Sequence, residues 1–198
     1  MGANGRVSDG GVWDNSVMSY RLANGTAGLP CDKILPGSEK LLPFVFVADD
    51  AFPLQRHIMK PFPHHQQNTG ERIFSYRLSR ARRTVENAFG MLANRFRIFL
   101  SPINLPPDKV EMVVLACTAL HNFLRRDNVN TYMQSDACLV SEHLSEGTIC
   151  PSNRGKQSFL ELQRVGRKSS NDGKHIREHY MEFFSEEGAV PWQKEMIQ

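Results

Sequence analysis

The amino-acid sequence predicts an α/β protein in which a mixed sheet packs against helices. Three stretches predict it. Leu42 to Ala48 (LPFVFVA) is short, apolar and rich in β-formers. From Leu78 to Phe99, within a longer segment starting at Glu71 or Ile73, apolar residues recur at spacings of three and four. A second helical pattern runs from Lys109 to Arg126.

Residues 1–16 (MGANGRVSDGGVWDNS) are rich in Gly, Asn, Asp and Ser and are expected as turns and loop. Val17 to Ala23 is expected as a short helix stopped by Asn24 and Gly25. Gly25 to Pro43 carries the breakers Pro30, Pro36 and Pro43 and reads as irregular. The run from Leu42 to Ala48 does not alternate, so both faces are expected to be buried, as in a central strand. Asp49 and Asp50 follow at its C-terminal end. Ala51 to Pro53 turn the chain, Leu54 to Met59 is expected as a short helix, and residues 60–70 (KPFPHHQQNTG) as a polar loop.

In the long helix Leu78, Ala81, Val85, Phe89, Leu92, Phe96 and Phe99 form an apolar stripe. Gly90 lies inside it at a cost of about 1 kcal/mol relative to Ala, which points to a packing or close-approach reason. Pro102 and Pro106-Pro107 bound the next loop. Asp108 is expected near the start of the second helix. There Val110, Val113, Val114, Cys117, Leu120, Phe123 and Leu124 face inward, and Arg125 and Arg126 suit the C-terminal dipole. From Asp127 to about Asn171 the apolar periodicity disappears, as in a flexible connector. Gly173 to Phe184 restores it, with Ile176, Tyr180, Phe183 and Phe184 on one side. No internal repeat is visible.

Composition narrows the function classes. The longest apolar run, Met112 to Cys117, has six residues, far short of the ~18–20 that span a bilayer. The first residues have no apolar core of a signal peptide, so a nuclear or cytosolic location is expected. Cys31, Cys117, Cys138 and Cys150 form no CxxC pair, which argues against a disulfide framework or a zinc knuckle. Cys117 and His121 stand one helical turn apart, but no second pair accompanies them. The net charge is +3, unevenly spread. Residues 55–100 hold nine basic residues against Glu71 and Glu86, a net of +7, which leaves −4 for the rest. Such a basic segment fits a polyanion partner, and it fits equally a solvated helix face.

Two places could carry chemistry. A carboxylate at the end of a buried strand, Asp49 or Asp50, can project into a crevice above a sheet, although Asp is also common as a turn or helix cap. Glu86 lies mid-helix beside the apolar stripe, with Arg82 and Arg83 at i−4 and i−3. That arrangement suits a metal-directed carboxylate with its charge offset, or a surface ion pair of a few tenths of a kcal/mol. Spacing alone does not choose.

Several motifs occur together: GRVSDGGVW (5–13), VADDAFPL (47–54), MKPFP (59–63), FSYRLSRARRTVENAFGMLANRFRIF (74–99), ALHNFL (119–124) and IREHYMEFFSEEGAVPWQ (176–193). In order and spacing they resemble the Harbinger-type DDE transposases and the nucleases derived from them. The resemblance covers most of residues 1–126 and returns at 173–193. It implies an RNase H-like fold, here partial, with an incomplete mixed sheet and its first strands missing. It implies three segments: residues 1–126 as the C-terminal part of the nuclease domain, 127–172 as connector, and 173–198 as a C-terminal helix and tail.

The family's second aspartate sits in a motif like G-D-x-x-[FY]-P-L, which on ADDAFPL falls on Asp49 rather than Asp50. Its glutamate, in E-x-x-F-G, falls on Glu86. Asp49 and Glu86 are therefore the implied catalytic and metal-binding carboxylates. Two Mg²⁺ (or Mn²⁺) ions would assist in-line displacement at phosphorus. Arg77, Arg80, Arg83 and Arg95 are the implied contacts to DNA phosphates. The family's first aspartate has no match here. Asp9 belongs to a different motif, and fits a loop cap or an acid near the site. The implied activity is a divalent-metal-dependent DNA endonuclease or strand transferase, incomplete without that aspartate. The alternatives are a non-catalytic DNA- or protein-binding module on the same fold, and a scaffold whose arginines meet an acidic partner. A Myb-like DNA-binding partner protein and a nuclear location complete what the resemblance implies.

Overall fold

Ser8, Ser16, Asn68 and Ser170 each start a helix, and for the same reason. The side-chain oxygen of each accepts a hydrogen bond from a backbone N–H of the first turn, which otherwise lacks a partner. At Asn68 the exchange is reciprocal. Glu71 N donates to Asn68 Oδ1, and Asn68 N donates to Glu71 Oε2, both at 2.9 Å, the paired geometry of a capping box.

The computed structural model describes residues 7–127 and 169–197. The expected connector 127–172 falls largely outside the described residues, as do Cys138 and Cys150. In order the elements are α1 (Asp9–Asp14), α2 (Val17–Ala23), β1 (Lys33–Ile34), β2 (Leu41–Leu42), β3 (Phe46–Val47), β4 (Ile58–Met59), α3 (Thr69–Arg95), α4 (Pro107–Asp127) and α5 (Asn171–Ser185). Single 3-10 segments follow α3 at Arg97–Leu100 and α5 at Pro191–Ile197. The described part is thus a mixed, helix-rich α/β chain with two small sheets. It divides into two compact units, residues 7–82 with 169–197, and residues 83–127.

The first unit holds both sheets. β1 and β2 pair antiparallel, with Lys33 opposite Leu42. β3 and β4 pair parallel, with Phe46 opposite Ile58 and Val47 opposite Met59. The single buried strand expected over Leu42 to Ala48 is therefore two short strands. Pro43 separates them because it has no N–H for a ladder. Phe46 and Val47 are exposed rather than buried on both faces. The helix expected over Leu54 to Met59 is also replaced: Gln55 and Ile58 form a tight antiparallel bridge that leads into β4. Loop was expected over residues 1–16, yet Ser8 caps α1 there despite its two glycines.

The core of this unit joins distant pieces of chain. Leu54, Met59, Phe62, Phe74 and Leu78 pack with Ile176, and Val45, Tyr180, Met181 and Phe184 close over them. Phe62 meets Phe74 edge to face at 5.4 Å between ring centres. Phe74 is 1% exposed, and burying such a ring stabilises by about 1.5–3 kcal/mol. α5 thus buries the face that its spacing predicts. Ser170 N donates to Leu54 O at 2.9 Å and Tyr180 Oη to Pro43 O at 2.6 Å, which fixes α5 against both ends of the sheet region.

The second unit comprises α3 from Arg83 onward, the Arg97–Leu100 turn and α4. Pro107 opens α4 at a position where a missing N–H costs nothing. Cys117 and His121 are buried on α4. Burial pushes the His121 imidazole below its usual pKa, and the Arg125 charge adds to this. Leu120 and Phe123, expected to face inward, are exposed, as are Val85 and Phe89 on α3.

Candidate functional site

β3 delivers Asp49 to the surface. Ala48 N donates to Met59 O at 2.9 Å, which continues the parallel pairing one residue beyond the strand. The chain then turns: Ala51 N donates to Asp49 Oδ1 at 2.9 Å, and Phe52 N to Asp49 O at 3.3 Å. This is the local turn that an Asp side chain favours. The other carboxylate oxygen, Oδ2, accepts from Arg82 Nη1 at 3.1 Å. Both side chains are partly exposed, so the pair contributes about 0.2–1 kcal/mol at most.

Asp49 and Arg82 open on a cavity of about 360 Å³. Asp50, His64, Ser75, Tyr76 and Ser79 supply its other polar lining, with Ala48, Pro61 and Leu78 as the apolar wall. Asp49 is half-buried and Asp50 exposed, yet both reach this cavity. Ser75, Ser79 and Arg82 come from one face of α3, at spacings of four and three. That polar stripe is present in the sequence, directly beside the apolar one. Arg82 was legible only as a neighbour of Glu86, whereas it also reaches Asp49, 33 residues away in sequence.

Glu86 is exposed on α3, in the second unit, whereas Asp49 is in the first. Arg77 is turned inward. Its Nη1 donates to Gln193 Oε1 at 3.1 Å and Gly188 O at 3.2 Å, and its guanidinium lies 4.7 Å from the Phe184 ring centre. Burial lowers its pKa, and the neighbouring Arg80 lowers it further. Arg80 stacks on Trp192 at 4.2 Å. Arg83 is half-buried and Arg95 exposed, both in the second unit.

A half-buried carboxylate at a strand end thus shares a cavity with an arginine from α3. The comparison with protein families gives the class of protein its name. A family model described as DDE superfamily endonuclease matches residues 1–122. The chain belongs to this family of transposase-derived nucleases, whose substrate is DNA and whose members generally use divalent metals. No match was found among curated proteins or among solved structures.

Asp49 and Asp50 offer the hard oxygen donors that Mg²⁺ prefers. Among the described residues, no group of three or more His, Cys, Asp or Glu stands where it could hold a metal ion. Both Asp49 carboxylate oxygens already accept hydrogen bonds, from Ala51 N and from Arg82 Nη1. No described helix is long and apolar enough to cross a membrane.

Proposed function

We propose that this chain is a Harbinger-type DDE endonuclease domain with an RNase H-like architecture, acting on DNA phosphodiester bonds in the nucleus. Asp49 and Glu86 are its metal-binding carboxylates, and Mg²⁺ or Mn²⁺ is the ion. The observation that carries the reading is Asp49: the family motif selects it, and it lies just beyond β3 on the cavity that it shares with Arg82. A bound ion would supply charge stabilisation for the attacking and leaving oxygens. The chain's own residues do the rest. Arg82 orients the Asp49 carboxylate and places a cation where a phosphate would enter. Ser75 and Ser79 offer hydroxyl donors along the same wall. Arg80, Arg83 and Arg95 hold the DNA backbone as fixed charges, and Arg77 supports them by ordering the turn that carries Trp192. A Myb-like DNA-binding protein is the proposed source of sequence choice.

A second reading, a DNA-binding module without cleavage, is favoured by the ion pair that already neutralises Asp49. Nicking of supercoiled plasmid in Mg²⁺ or Mn²⁺ separates the two. Cleavage that disappears in both Asp49→Ala and Glu86→Ala supports the endonuclease. Salt-dependent DNA binding that survives Asp49→Ala and needs no divalent ion, with no nicking at any ion concentration, supports the module. Absence of any DNA binding refutes both.

A further inference from the structure

His175 and His179 stand one turn apart on α5, away from the Asp49 cavity residues in sequence and lining. Their Nε2 atoms approach to 3.1 Å, with ring centres 4.3 Å apart and planes at 65°. Two surface imidazoles on a helix ordinarily splay into water. Here the two Nε2 atoms lie within hydrogen-bond distance of each other. On its other side, His179 Nδ1 is shielded from solvent, has no hydrogen bond, and faces Glu182 Oε2 at 3.5 Å. Glu182 is itself held by Lys40, whose Nζ lies 2.7 Å from the same oxygen. A carboxylate behind the outer nitrogen of a histidine is how metal-binding imidazoles are oriented, because it fixes the Nδ1–H tautomer and leaves Nε2 with a lone pair.

The spacing can be tested against coordination geometry. With nitrogen–metal bonds of ~2.05 Å, an Nε2–Nε2 separation of 3.1 Å corresponds to an angle at the ion of about 98°. That lies between the right angle of a tetragonal Cu²⁺ or Ni²⁺ site and the ~109° of tetrahedral Zn²⁺. Mg²⁺, which prefers oxygen donors, is not suited to two imidazoles. Without an ion, one Nε2–H donates to the other Nε2, in a direction that the tautomer sets; an ion would take the place of that proton between the two rings.

We propose that His175 and His179 form a two-histidine site for a late first-row divalent ion, Zn²⁺ foremost, oriented by Glu182 and completed by water. The stretch His175-Ile-Arg-Glu-His179 has the H-x-x-E-H order of one class of zinc peptidases. No third protein ligand joins the pair among the described residues, so the site is a clip on α5 and not a hydrolytic centre. By bridging positions i and i+4, the ion favours the helix that closes the core of the first unit. It is independent of the endonuclease reading.

The test uses the full chain without an affinity tag. Zn²⁺ titration is followed by calorimetry, and the histidine ring nitrogens by long-range ¹H–¹⁵N NMR. One equivalent of Zn²⁺ is expected to shift the Nε2 signals of both His175 and His179. His175→Ala and His179→Ala each abolish that equivalent, and Glu182→Gln weakens it about tenfold. Asp49→Ala leaves it unchanged, and millimolar Mg²⁺ does not displace it. At saturating Zn²⁺ the melting temperature rises by about 3 °C or more in the parent and not in His179→Ala. Nε2 signals that do not move, or a stoichiometry and affinity unchanged in both alanine variants, overturn the proposal. His175 is exposed and His179 half-buried, and an unchanged metal-free melting temperature of each variant verifies that it folds.

Discussion

Gly173 is the third residue of α5 and faces the bridge that precedes β4. A Cβ built on it would lie 2.9 Å from the N, Cα and C atoms of Gln55. Contacts that short are not tolerated, and the opposing atoms are backbone, which cannot rotate away. Considered locally, Gly173→Ala should help: it removes the entropy cost of a helical glycine, a gain of about 0.4–1 kcal/mol. The packing reverses the sign. Relief requires α5 to move off Gln55 by several tenths of an ångström. That movement strains the 2.9 Å bond from Ser170 N to Leu54 O and loosens Ile176 in the core. Overpacking of this kind costs about 1–3 kcal/mol, so the net expectation is a loss of about 1–2 kcal/mol. Urea unfolding followed by circular dichroism measures it, with Gly70→Ala as control. A Cβ at Gly70 meets only side-chain atoms, the nearest being Ser185 Oγ at 3.3 Å, and should be near neutral. A Gly173→Ala protein as stable as the parent, or more stable, would refute the close seating of α5 on the Gln55 backbone.

Three further outcomes follow from contacts described above. Gln193, 1% exposed, accepts from Arg77 and Val190 N and donates to Phe184 O; Gln193→Leu leaves these groups short of partners and should lower unfolding free energy by about 2–3 kcal/mol, a loss under about 0.5 kcal/mol in urea titration being inconsistent with this role. Burial raises the Tyr180 pKa and the Asp32 charge raises it further; the folded chain therefore keeps a proton that the unfolded chain releases above about pH 10. The stabilisation is fully present below that pH and is lost as pH rises through the folded pKa. Tyr180→Phe should lower the urea midpoint at pH 8 through the lost bond to Pro43 O and flatten its alkaline decline, and parallel profiles from pH 8 to 11 would contradict this. Arg80→Ala removes the cation stacked on Trp192 and should cost about 0.5–1 kcal/mol; if Arg80 also meets phosphate, the slope of log affinity for DNA against log salt falls by about 0.9.

The helices were legible where their ends and faces were both local. Val17–Ala23 is set by Ser16 at one end and by Asn24 and Gly25 at the other, where Gly25 takes φ +67°. The apolar side of α5 follows from spacing alone. The sheets were not legible, because strand formation is decided by the partner. Ile58 and Met59 become a strand only because Phe46 and Val47 lie alongside, and nothing within residues 54–59 announces that. α1 was hidden by glycine propensity, which a single capping serine outweighs. At the site, the motif singled out Asp49, but its surroundings come from α3 and from the 60–70 loop. That convergence is a tertiary fact. The stacking of Arg77 and Arg80 likewise depends on aromatic groups more than a hundred residues downstream, which no local pattern could supply.

The seating of Ile176 among Leu54, Phe74 and Leu78 sets the order of events during synthesis. The apolar residues of the sheet region and of the start of α3 leave the ribosome well before the helix that covers them is made. At ~5–20 residues per second, the interval between Leu78 and Gln193 is roughly 6–23 s. Closure then joins segments far apart in sequence, which slows folding. Until α5 is made, Leu54, Phe62 and Phe74 lack the cover that Ile176 and Phe184 give them, and such uncovered apolar surface favours aggregation. Yield on overexpression should therefore respond to translation rate and chaperone supply more than to changes in the mature surface.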